Sequence, residues 1–140
     1  MRFTLALATL LTTALAIPLS THQTRHDQTY DDDVIILAFD NVLKPLLGRV
    51  AIPLRDLDVW FNVEELLAGT PLDDGPIEAD RVDFEHGPDS VECVFVAGVF
   101  EFILDSFTHP TGDFDGNSDD RSPVPMNAFK VACRFKEHHE

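Results

Sequence analysis

Apolar and polar positions alternate in short runs along this chain, and no long stretch repeats with helical period. In residues 128–136, Phe129, Val131, Cys133 and Phe135 alternate with Lys130, Ala132, Arg134 and Lys136. An extended chain with that order has one apolar face and one mostly basic face. In residues 90–96, Val91, Cys93 and Phe95 share a face, and residues 99–107 place Phe100, Phe102 and Leu104 together. The two runs predict a hairpin across Ala97-Gly98, where Gly98 supplies the positive φ of a tight turn.

The first half of the chain is patterned less regularly. Residues 34–39 are a continuous apolar run of strand length, followed by a predicted turn at Asp40-Asn41. Residues 46–54 put Leu46, Val50, Ile52 and Leu54 on one face, and Pro53 requires that strand to lie at an edge or to end there. Leu57, Val59, Phe61 and Val63 fit a strand template over 57–63, with Trp60 facing the other way and a helical turn over 64–68 as its continuation. Residues 69–76 are dense in chain-reversal types, residues 77–84 form an imperfect strand before a Gly87-Pro88 turn, and residues 108–126 read as one long loop. About seven short strands without a long helix predict an all-β chain, a small antiparallel β-sandwich over 34–136.

The ends are of a different kind. Arg2, the apolar run 3–15 and the small-x-small triplet Ala14-Leu15-Ala16 predict a signal peptide over 1–16, since the run is too short for a bilayer. Removing 16 of the 140 residues leaves 124, one domain's worth of chain. Residues 17–33 read as a disordered polar lead and residues 137–140 as a polar tail. The expected location is therefore extracellular. In that oxidising compartment two cysteines make one bridge, and Cys93 and Cys133, both on inward faces, join without flipping either strand.

The formal charge is −15, and losing Arg2 with the leader makes it −16. Such a chain repels phosphates unless its basic residues gather on one face, so nucleic acid is disfavoured as a partner and a basic one is favoured. No apolar run after the leader is long enough to span a membrane.

Three groups of residues carry candidate chemistry. Asp113, Asp115, Asn117 and Asp119 alternate as oxygen donors in a Gly-containing loop, which suits Ca²⁺. The match to a helix-loop-helix calcium loop fails at Ser118, where Gly is needed, and at Val124, where an acid is needed, so a solvated acidic turn is the competing reading. Arg81, Glu85, His86 and His109 contain the groups of a small ribonuclease, but Glu85 and His86 are adjacent and face opposite sides of a strand. Trp60, the only tryptophan, is a candidate binding anchor on an outer face. There is no Gly-x-Ser-x-Gly elbow and no His-Glu-x-x-His helix.

A leader and polar lead, then strands carrying Ser90-Val-Glu-Cys-Val-Phe95 and Val131-Ala-Cys-Arg-Phe135, resemble the single-disulfide β-sandwich members of the fungal small secreted proteins, many of them candidate effectors. The resemblance implies secretion and action on another organism or a cell surface. The resulting expectation is a secreted, non-enzymatic interaction protein with a protein or cell-surface partner. A small secreted hydrolase or ribonuclease and a calcium-dependent surface-binding module are the alternatives.

Overall fold

A computed structural model describes residues 32–117 and 119–137. The leader 1–16, all but the last two residues of the lead 17–33, Ser118, His138 and His139 lie outside the described residues. The chain runs through β1 (Val34–Asn41), β2 (Leu46–Pro53), β3 (Phe61–Asn62), helix α1 (Val63–Leu67), β4 (Glu78–Ala79), β5 (Arg81–His86), β6 (Val91–Ala97), β7 (Phe100–Asp105), β8 (Thr111–Asp113), β9 (Val124–Pro125) and β10 (Lys130–Phe135). Among the described residues seven strands have three residues or more, and β3, β4 and β9 have two each. All strand pairs are antiparallel, in two four-stranded sheets ordered β2-β1-β5-β8 and β3-β10-β6-β7, with β4-β9 as a small third.

The inward positions of both large sheets meet in one core. Ile35, Leu37 and Phe39 of β1 and Val50 and Ile52 of β2 join Val91, Cys93 and Phe95 of β6 and Val131 and Cys133 of β10. Phenylalanine rings tie the two layers together. Phe114 lies 5.8 Å from Phe39 in one sheet and 5.7 Å from Phe95 in the other, with Phe129 at 4.9 Å. Ring pairs at these separations contribute about 0.5–1.5 kcal/mol beyond area burial.

Cys93 and Cys133 stand directly opposite in the β6–β10 register and are bonded, with Cα atoms 3.9 Å apart. The Cys133 carbonyl accepts from Asp58 N–H (2.7 Å) on the side away from β6. Cys93/Cys133 is therefore a non-hydrogen-bonded pair, the closer of the two antiparallel pair types, and a bridge fits there without disturbing the ladder.

Several expectations need correction. Asp40 and Asn41 continue β1, and the chain turns two residues later than expected, at Val42 and Leu43. Asn41 is buried with its amide committed, donating to Glu78 O and accepting from Leu43 N–H. Leu46 is exposed, and Gly48 fills the inward position beside Val50 and Ile52. Residues 57–63 are not a strand. Asp58 adopts a left-handed backbone (φ 67°), only Phe61 and Asn62 pair with β10, and Val63 starts α1. Helical spacing wins here because Val63 and Leu67, four apart, both enter the core while Glu64 and Glu65 stay exposed at the positive helix start. The loop expected over 108–126 contains β8 and β9, and the strand expected over 77–84 is split into β4 and β5. Pro53 does end β2, which is a sheet edge. Among the described residues no helix is long and apolar enough to cross a membrane.

Candidate functional site

The outer face of the β3-β10-β6-β7 sheet carries an apolar row. In register, Ala132 lies opposite Val94, which lies opposite Ile103; Trp60 directly precedes β3, whose Phe61 pairs with Val131. Ala132 and Val94 are only 6% exposed, Ile103 is half-buried and Trp60 is 53% exposed at the β3 edge of this face. Charged residues flank it. On one side Arg134 pairs with Glu92 (2.9 Å) and Lys136 with Asp105 (3.6 Å); on the other stand Lys130 and Glu101, with the apolar Val96 between them.

At the β7 end the row opens onto a shallow cleft of about 640 Å³, between the edge strands of the two sheets. Its floor is Phe100, Phe102 and Gly112, and its rim includes Glu101, His109 and Asp113. The opposite side of the sandwich is occupied by α1, which packs near β2 and β3. The two sides of the fold therefore differ: one is covered and the other is open.

Asp105 organises the turn beneath the cleft. Its Oδ1 accepts from the N–H groups of Phe107 (2.8 Å), Thr108 and His109, and Lys136 approaches its other oxygen. Burial acts to raise its pKa, but the hydrogen bonds from His109, Phe107 and Thr108, helped by Lys136, outweigh it and hold the carboxyl below the ordinary aspartate value.

A second polar node lies at the β1 end of the fold. Asp80, 2% exposed, accepts from Val42 N–H (2.7 Å) and pairs with Arg121, which also reaches Asp40 at 2.9 Å. The hydrogen bonds to Asp80 and then to Asp40 raise the Arg121 pKa further, so this guanidinium is a permanent charge. Its place is structural: it ties the loop after β8 to the β1–β2 turn.

The residues singled out in the sequence are dispersed. Asp113 ends β8 and faces Arg81 across the β5–β8 pair (3.7 Å). Asp115 accepts from Asn117 N–H (2.9 Å), and Asn117 accepts from Asp119 N–H (3.0 Å). Among the described residues no three His, Cys, Asp or Glu side chains group as metal ligands. The residue of that segment that organises it is Phe114, buried among the core rings. Glu85 reaches over β1 to Arg49 of β2 (2.7 Å), His86 follows it on β5, and His109 is on the cleft rim. Trp60 is exposed, but on an extended segment beside β10 and not within a strand.

Sequence reasoning missed the cleft, Asp105 and Arg121. The apolar outward residues Val94 and Ile103, which break an alternation that should have been polar, were the available signal for the row. Compared with protein-family models, curated proteins and solved structures, the chain matches none of the three.

Proposed function

We propose that this chain is a secreted, non-enzymatic interaction protein of the effector-like kind, binding a basic protein partner through the outer face of the β3-β10-β6-β7 sheet. One observation carries the reading: Trp60 is 53% exposed at the β3 edge of this face and Ile103 is partly exposed on β7, with charged residues on both flanks, while Ala132 and Val94 between them are almost fully covered. An apolar centre with a polar rim is the usual anatomy of a protein interface, and tryptophan is a common anchor in one. The charge of −15 steers a basic partner over long range. Secretion rests on the leader pattern of residues 1–16.

The test is affinity capture with the mature, disulfide-bonded protein, repeated with Trp60→Ala and across a salt series. The Trp60→Ala protein should keep its melting midpoint, since the ring is half exposed, and should release its partner faster. Capture should weaken as salt shortens the Debye length from about 10 Å at 0.1 M. Turnover of RNA, glycan, ester or peptide, lost in His86→Ala or His109→Ala without unfolding, would replace this reading with an enzymatic one.

A further inference from the structure

β7 has a strand partner on one side only. The β6–β7 hairpin turns through Gly98 and Val99, with Ala97 opposite Phe100. A two-residue loop is closed by a hydrogen-bonded pair, so Ala97/Phe100, Phe95/Phe102 and Cys93/Leu104 exchange ladder bonds. The N–H and C=O groups of Glu101, Ile103 and Asp105 then point away from β6. Asp105 confirms this phase, because its N–H donates to the His109 carbonyl (2.9 Å) on the far side. Two residues earlier, Ile103 points the same way, and so does Glu101.

Both residues line the cleft, and no described strand pairs with β7 on that side. The other sheet edges are managed. β2 ends in Pro53 with α1 close by, β3 has two residues and β8 three. β7 has six residues and contains neither proline nor lysine, the residues that ordinarily protect an edge.

We infer that β7 accepts an extended segment of the partner as an added strand, hydrogen-bonded to Glu101 and Ile103, with an apolar side chain beside Ile103 and a basic one beside Glu101. This rests on the interaction reading above and specifies its mode. The added strand would lengthen the row Ala132, Val94, Ile103 by one apolar position, while backbone bonds supply affinity and alternate side chains supply selection. Glu101 is exposed, and its carboxylate selects positive charge; Asp113, across the cleft on its rim, is engaged by Arg81. A second copy of this chain is disfavoured as occupant, because pairing two chains of charge −15 brings like charges together.

The probe is a labelled seven-residue peptide in which threonine alternates with outward lysine, valine and lysine. Its controls are the same peptide N-methylated at the residues that would bond β7, and one with glutamate in place of lysine. Anisotropy should show saturable binding of the lysine peptide, about tenfold or more tighter than the N-methylated form, since two backbone hydrogen bonds are lost. Hydrogen exchange should slow at the Glu101 and Ile103 amides on binding. Glu101→Lys, a change at an exposed side chain, should shift preference toward the glutamate peptide.

Equal binding of the N-methylated peptide, unchanged exchange at both amides, absence of peptide binding, or sedimentation showing a β7-mediated dimer would each overturn strand addition. If those outcomes came with intact Trp60-dependent capture, the interaction surface would stand and only its mode would fall. Loss of that capture with pairing at Glu101 and Ile103 intact would do the reverse.

Discussion

Gly112 lies directly against the ring of Phe102: a Cβ at position 112 would sit 2.3 Å from Phe102 Cε2. This approach of β8 to β7 sets how far the open side of the sandwich closes. Gly112→Ala must push the ring from its stack on Phe95 (4.9 Å), at a cost of about 1–3 kcal/mol. Denaturant melts should show that loss, and a smaller one when Phe102→Leu makes room. Equal losses in both backgrounds would refute the steric account.

Reduction of Cys93–Cys133 should lower the melting midpoint by many degrees. The bridge closes a loop of sequence separation 40, worth about 4 kcal/mol in the chain-entropy treatment. Thiol labelling before and after reduction gives the second readout. Two labelled thiols in native protein would refute the bridge.

Arg121→Met should destabilise by about 3 kcal/mol, because it leaves the buried Asp80 carboxylate without its cation. That is the low end for such a loss, since Val42 N–H still bonds Asp80 and Arg121 itself is partly exposed. Adding Asp80→Asn should recover part of it. A double-mutant cycle with no coupling would deny the pairing any energetic role.

Asp105 makes stability depend on acid. Its folded pKa lies below the unfolded value of about 3.9, so the folded state binds its proton less readily. The stabilisation is complete well above pH 4 and is lost as pH falls through the folded pKa. Asp105→Asn should therefore be less stable at neutral pH, and the gap should narrow in acid. A gap of constant size between pH 7 and pH 2.5 would contradict this linkage.

Millimolar Ca²⁺ should leave the melting midpoint where a chelator leaves it. Asp113 faces Arg81, and Asp115 and Asn117 turn an oxygen to backbone amides of their own turn. A calcium-dependent rise, abolished by Asp115→Asn, would instead make the segment a metal site by mass action.

The parts of the fold legible in the sequence are those where one physical signal governs. β6, β7 and β10 are legible because one face of each enters the core as a period-two apolar set, despite the outward Val94 and Ile103, and the cysteines lock the β6–β10 register. Residues 57–63 alternate just as well, yet the left-handed Asp58 and the Val63/Leu67 pair turn that stretch into a bend and a helix. Strands of two or three residues, such as β4, β8 and β9, are shorter than any periodic signal. Phe114 was hidden by its acidic neighbours, and Arg121 by a Pro- and Asp-rich loop; both act through partners distant in the chain. Trp60 was legible as exposed, but its place just before the edge strand β3 needed the β3–β10 register.

The disulfide bears on durability as well as on stability. Every residue lining the cleft, from Phe100 to Gly116, lies inside the ring that Cys93 and Cys133 close. A protease that cuts once within that ring yields two pieces still joined through sulfur, with β6 and β10 clasped side by side. Under tension the same ring withholds roughly 140 Å of chain from extension, at about 3.5 Å for each residue. Force applied at β7 would therefore load a closed covalent circuit, and β6, its one strand neighbour, would stay joined to β10 after a nick or a tug that would unravel an open hairpin.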